Sequence, residues 1–201
     1  MPGAQITKRA LGSAMKQLMT QKPFARISVG DVCALCGMSR KSFYYHFKDK
    51  HDLVNWIFSD DLTQLIASEQ PRGLWQFFHG LCLYLQQNRA FYVNAFAVEG
   101  QNALIGHFSQ ALHPIVLSCF RELFPQGEDN EFLALFYTDA IRLSLLRWLR
   151  DEQPLDPEEY VKKVRLAVSG IARQAAAMGR EGETLGERSG ALPRTPQGGL
   201  L

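Results

Sequence analysis

One glycine constrains this chain more than any other residue. In SVGDVCALCGMSRKSFYYHF, Ser28 to Phe47, Gly37 stands between two helix-start signals. Ser28 followed by Asp31 is an S-x-x-D cap: the serine oxygen takes free amides, and the carboxylate suits the positive helix end. The helix so begun runs to Cys36 and ends at Gly37, which accepts the left-handed conformation of a tight turn. Ser39 caps a further helix through His46, with Phe43 and Phe47 one turn apart on its buried side. Small Cys33 at the crossing, Gly37 in the turn, and Val32, Met38 and Phe43 at packing positions together read as a helix-turn-helix.

Two other patterns share these letters. Cys33 and Cys36 form C-x-x-C, and with His46 and His51 the spacing becomes C-x2-C-x9-H-x4-H. The first suggests a redox pair and the second a zinc finger. Reactive thiols need a helix N-terminus or a cation, whereas these lie at a helix C-terminus, where carbonyl dipoles oppose thiolate. A finger wants a spacer of about twelve residues, and this spacer contains a turn and a cap. Free cysteines packed as small apolar residues are the better reading. Cys82 and Cys119 read as core in the same way.

Charge separates the chain into two parts. Residues 1–56 carry nine Lys/Arg and three Asp/Glu, net +6, and the remaining residues carry 13 against 17, net −4. A basic first quarter on an acidic body suggests a polyanion-binding module joined to a domain with another task. The outer side of the second helix of the motif carries Arg40, Lys41, Ser42, Tyr45 and His46, side chains suited to bases and phosphates. The 46% hydrophobic content suffices for a real core. No apolar run approaches a membrane-crossing length. The segment MPGAQITKRALG lacks the apolar centre of a signal peptide, so a cytoplasmic, nucleoid-associated protein is expected.

The periodicity predicts an all-α chain. A first helix spans Thr7–Thr20, and a fourth runs from near Asp49 towards Ser68. Further helices are expected at Leu74–Asn88, Arg89–Glu99, Ala103–Leu112, Pro114–Phe124, Glu131–Arg150 and Pro157–Met178. His113-Pro114 should break or kink the chain. The tail from Gly179, rich in glycine and charge, is expected to be disordered. Three divisions follow: 1–51 for the helix-turn-helix, 52–178 for a helical bundle, and 179–201 for the tail.

The stretch Thr7–Phe58, above all the run F-Y-Y-H-F-K-D-K-x-x-L from Phe43 to Leu53, resembles the DNA-binding domain of the TetR family of transcriptional regulators. NRAFYVNAFAVEGQNAL and LLRWL further resemble the branch that regulates dihydroxyacetone kinase operons. The resemblance implies three short helices that read double-stranded DNA and a larger helical body that binds an effector and forms a homodimer. It makes Arg40, Lys41 and Ser42 base contacts and sets Tyr45 on a thymine methyl or base edge. Tyr44, His46 and Lys50 fall at phosphate-holding positions, Ser28 and Gly30 offer amides to a phosphate, and Ser39, the cap of the reading helix, is counted among the DNA-binding residues. Effector binding would act by moving the fourth helix.

In the body, Tyr92, Phe96, Glu99, Asn102, His107 and Tyr137 are candidates for an effector pocket, apolar with a few placed polar groups. Most body aromatics, Phe132 and Phe136 among them, read as core. The last two helices carry apolar stripes suited to a four-helix dimer surface, with Leu143, Leu146, Arg147, Leu149, Val164, Val168 and Ile171 as its candidates. No nucleophile–base pair, phosphate loop or metal cluster stands out, so neither an enzyme nor a cofactor or metal is expected. The alternatives are a regulator controlled by a protein co-regulator and, less favoured, a cysteine redox or zinc protein.

Overall fold

Helical spacing is realised along the chain in the computed structural model, which describes residues 2–69, 73–98, 104–123 and 129–170. Its helices are α1 (Pro2–Gln21), α2 (Val29–Cys36), α3 (Arg40–His46), α4 (Lys50–Glu69), α5 (Leu74–Gln87), α6 (Arg89–Phe96), α7 (Leu104–Leu123) and α8 (Asn130–Arg150). A 3-10 turn at Phe24–Arg26 follows α1. Helix α9 covers 157–170 as far as it is described, and the described residues contain no strand. The all-α expectation therefore holds. The chain divides into two units, 1–161 and 162–201. Residues 162–170 of the second unit are helical. The expected tail at 179–201 lies outside the described residues.

Helix α1 begins earlier than the sequence suggested. Pro2 suits a first turn, where its missing N–H is not needed, and Thr7 Oγ1 donates back to Gly3 O at 3.1 Å. Leu11, Ala14, Met15 and Met19 fall on one buried stripe, which packs α1 against α2, α4 and α6. The core of the body is aromatic. Phe58 of α4 meets Tyr92 of α6 and Phe108 of α7 at 6.4 and 5.5 Å between centroids, and Phe96 meets Phe108 edge-on at 5.6 Å. Cys82 is fully buried, and desolvation pushes its thiol pKa up strongly. The side chain of Cys119 lies outside the described residues.

Two expectations are corrected here. The break at His113-Pro114 does not occur: α7 runs from Leu104 to Leu123 with Pro114 inside it. Leu104, Phe108, Leu112, Val116 and Phe120 recur every four residues, and all are buried. That stripe spans the proline, so packing on both sides overrides the lost i→i−4 bond. Helix α8 turns differently from the expected dimer face. Ala134, Tyr137, Thr138, Ile141, Leu145, Trp148 and Leu149 point inward, with Leu149 1% exposed and Leu146 7%. Phe132 and Phe136, expected in the core, are instead 67% and 57% exposed and stack on each other at 6.5 Å. A period of 3.6 residues cannot put both Leu149 and Phe132 on one face.

Pro114 is exposed, so its cost is confined to the helix backbone. Pro114→Ala is expected to raise stability in denaturant melts by about 1–2 kcal/mol, the interior-proline penalty less the unfolded-chain entropy that proline removes. A fall in stability would show that α7 packs through the distortion.

Candidate nucleic-acid interface

The short helices of the motif, and the helix after them, are each started by a side chain. Ser28 Oγ accepts from Asp31 N at 3.1 Å while Asp31 Oδ2 accepts from Ser28 N at 2.8 Å, a complete capping box for α2. Lys22 Nζ adds a further donor to the same carboxylate at 3.2 Å. Led by the Ser28 amide, these donors hold the Asp31 pKa down at about 2. Gly37 ends α2 with φ 69° and ψ 22°, the left-handed region anticipated for it. Ser39 Oγ then accepts from Ser42 N at 3.1 Å and starts α3. Asp49 Oδ1 accepts from His51 N and Asp52 N at 2.8 and 2.9 Å and starts α4.

Packing fixes the face that α3 presents. Phe43 and Phe47, 0% and 3% exposed, fasten it inward, and the Phe47 ring lies 5.6 Å from Trp56 of α4. The opposite side carries Tyr44 and Tyr45, 59% and 83% exposed, with Arg40 and Lys41 also exposed. Ser42 and His46 are half-buried, and the His46 ring sits edge-on to Tyr45 at 4.9 Å. Arg40 reaches back to α2: a Cβ built on Gly30 would stand 2.6 Å from its Nη2. The guanidinium therefore lies against bare backbone in the first turn of α2, a place that only glycine leaves open. Ser28 is exposed beside it. The structure thus brings Ser28, Gly30, Arg40, Lys41 and the two tyrosines into one region of α2 and α3.

The cysteine–histidine pattern does not converge. Cys33 is 3% exposed and its thiol pKa is raised, by burial first. Cys36 Sγ donates to Val32 O at 3.2 Å, and the His51 ring packs edge-on against Phe24 at 4.8 Å.

Family comparisons agree with this geometry. The family model described as bacterial regulatory proteins, tetR family, matches residues 13–57, and one described as transcriptional regulator C-terminal region matches residues 74–170. The chain belongs to the TetR family of transcriptional regulators. A curated relative, the HTH-type dhaKLM operon transcriptional activator DhaS of Lactococcus lactis subsp. lactis (strain IL1403), is 33% identical over 95 residues. That match covers 47% of this chain and 51% of the relative, so the chain spans about half the length of the curated relative it matches. The solved structure of a dihydroxyacetone kinase operon activator DhaS superposes with a TM-score of 0.65 at 19% identity, over 84% of this chain and 97% of that one. A TetR transcriptional regulator from Streptococcus agalactiae 2603V gives 0.62 at 23% identity, over 81% and 93%. These two likenesses establish the TetR fold.

Lys50 departs from the phosphate role that the TetR resemblance implied. Its Nζ donates to the carbonyls of Phe24 and Ile27 at 2.9 Å each and of Ala25 at 3.4 Å, and lies 4.4 Å from the Phe24 ring centroid. All three ammonium protons are thus directed at the turn between α1 and α2, and desolvation lowers the pKa. Nothing in the sequence distinguishes such a tether from a phosphate-binding lysine.

Three of the effector candidates, Tyr92, Phe96 and His107, gather round Phe58 and Phe108. Tyr92 is 0% exposed and donates to Asp61 Oδ2 at 2.6 Å, and Phe96 is 4% exposed within the aromatic core. His107 Nε2 pairs with Ser59 Oγ at 2.8 Å, whereas Tyr137 packs on Phe120 at 5.0 Å. Glu99 and Asn102 lie outside the described residues. Sequence reasoning missed the polar cluster around Asp61, which also accepts from Lys16 Nζ at 2.8 Å; Lys16 in turn donates to the Tyr84 hydroxyl at 2.8 Å. An open cleft of about 610 Å³ borders it, lined among others by Asp61, Gln64, Tyr84 and Gln87. Of the dimer candidates, Leu143 and Arg147 are exposed, Val164 and Val168 are half-buried, and Ile171 lies outside the described residues.

Gly30→Ala is expected to displace the Arg40 guanidinium and weaken DNA binding. Helix propensity would meanwhile hold or raise stability by up to about 1 kcal/mol, read by parallel binding and melting curves. Lys50→Met is expected to cost about 1–2 kcal/mol in chemical denaturation, because the turn carbonyls lose their donors. Unchanged stability would return Lys50 to the role of a free surface charge.

Proposed function

We propose that this chain is a sequence-specific regulator that binds double-stranded DNA as a homodimer on a near-palindromic operator. The observation that carries this reading is the division of α3: Phe43 is wholly buried while Arg40, Lys41, Tyr44 and Tyr45 stand outside. Arg40, Lys41 and Ser42 are assigned to base edges, where bidentate donors discriminate base pairs. Tyr45 is assigned to a thymine methyl, and Tyr44 and His46 to phosphates. The Ser28 hydroxyl and the Gly30 amide are assigned to a phosphate at the start of α2, the Ser28 amide being held by Asp31, and Ser39 orients the reading helix by capping it. Lys50 acts by holding the turn beneath α2, with its charge as a secondary contribution.

For the homodimer we assign the outer face of α8, with Leu143 and Arg147 retained from the sequence reading and Phe132 and Phe136 added to them. A paired body supports two reading helices about one DNA turn, roughly 34–36 Å, apart. For a small effector we assign the cleft at Asp61, Gln64, Tyr84 and Gln87, which Leu65, Ala67 and Leu83 also line, so that a ligand with apolar surface and a few hydroxyl or amine donors suits it. Tyr92 would then respond through Asp61 rather than touch the ligand. Control by a protein co-regulator is the second reading, favoured by the apolar Ile66 and Leu135, exposed and outside the residues assigned to the homodimer. The names of the relatives support a regulator rather than an enzyme, and such a protein would work in the cytoplasm at the nucleoid.

Selection from random duplex DNA is expected to recover two inverted half-sites. Lys41→Ala should relax the preference at one base pair per half-site, a contact worth about 1–3 kcal/mol. Affinity should fall steeply with salt. Failure of the wild-type protein to enrich any sequence would overturn the assignment.

A further inference from the structure

Helix α6 is eight residues long, about 12 Å at 1.5 Å per residue. From it, two side chains reach the ends of two other helices. The last carbonyls of any helix lack partners within it. At the end of α1, Asn94 Nδ2 donates to Met19 O and Lys22 O at 2.9 Å each, and its Oδ1 accepts from Phe24 N at 3.0 Å. Two carbonyls and one amide fit an amide side chain in one orientation alone, so all three bonds specify the same pose. At the end of α8, Arg89 Nε donates to Leu149 O and Nη2 to Asp151 O, both at 2.7 Å. Arg150 Nη2 returns a bond to Phe96 O, the last carbonyl of α6, at 3.4 Å. Between these two ends Tyr92 donates to Asp61 of α4.

We infer that α6 is a strap that sets the position of the DNA-reading helices relative to the end of α8, and that Asn94 and Arg89 are its positioning residues. The bonds at Met19, Lys22 and Phe24 take hold of the same turn that Lys50 gathers from below. That turn leads directly into the cap of α2. Displacement of the α8 end would draw on Arg89, carry α6 with it, and shift the start of α2 through Asn94. This route reaches α1 without requiring α4 to move, unlike the route the family resemblance implied. The residues lie 70 to 75 positions from their α1 partners and 60 to 62 from their α8 partners, so no local rule builds the joint.

The inference rests on DNA binding by a homodimer. It is tested with the full chain as wild type, Asn94→Ala, Asn94→Asp and Arg89→Ala, each carried through selection from random duplexes. Affinity is then measured for the recovered full site and for a duplex holding one half-site. The wild type is expected to select a narrow range of half-site spacings. Each variant should accept a broader range and lose roughly tenfold to a hundredfold in full-site affinity, with half-site affinity within about twofold of wild type. Arg89→Ala is the sharper arm, because the two bonds removed run to the end of α8 and leave the DNA-reading helices untouched. Asn94→Asp preserves side-chain size should the alanine variant not fold. Wild-type spacing and affinity in the Arg89 and Asn94 variants would overturn the strap while leaving DNA binding intact. An equal loss on half-sites and full sites would overturn it as well, by reducing these residues to general stability. A wild type that enriches no duplex removes the regulator reading and the strap together.

Discussion

A carboxylate tolerates burial only where donors replace the water it gives up. Asp61, with a side chain 10% exposed, accepts from Lys16 of α1 and Tyr92 of α6, and Lys16 also bonds Tyr84 of α5. Four helices therefore converge on one charge, a point about which α6 can pivot but from which none can withdraw without leaving a buried group unpaired. Asp60 beside it takes Gln5 and Arg9 from α1, so α1 lies along α4 by charge as well as by packing. Desolvation first, and the Asp61 charge next, raise the Tyr84 and Tyr92 pKa values strongly. Both hydroxyls stay protonated through neutral pH, Tyr92 donating to Asp61 and Tyr84 accepting from Lys16. Helix α1 consequently belongs to the DNA-reading unit and to the body at once.

The reading unit itself depends on caps. Helices of seven and eight residues do not persist alone in water, since nucleation is costly and few bonds follow. Ser28, Ser39 and Asp49 each supply acceptors for free amides at a helix start, and Phe43 with Phe47 supplies the common apolar anchor. The result holds a polar outer face on a frame whose inner face has no freedom to rotate.

How much of this was legible in the sequence depended on the range of the interaction. Ser28 with Asp31, Gly37, Ser39 and the Phe43–Phe47 pair act within four residues, so spacing revealed them. Pro114 misled because its local penalty is real, yet the stripe from Leu104 to Phe120 outweighs it, and a stripe shows only over several turns. Leu149, Phe132 and Phe136 were misplaced because an apolar residue on α8 carries no mark of which side the core lies on. Lys50 and Asn94 escaped for a different reason. Their partners are backbone atoms 23 to 75 residues away, and a carbonyl has no residue type to read. The caps and the packing that present the outer face of α3 were therefore visible in advance, and the bonds from α6 to the end of α1 were not.

The approach of Arg40 to Gly30 bears on how readily this surface could be moved or changed. Arg40 belongs to the helix assigned to reading bases, but the room for its guanidinium is made by a neighbouring helix. Transplanting Arg40–His46 alone into another helix-turn-helix would carry the letters of the surface without the floor on which one of them rests. A host with any side chain at the position of Gly30 would re-aim the arginine. The transferable unit is the pair of helices, and drift in binding preference would run through positions 30 and 40 jointly.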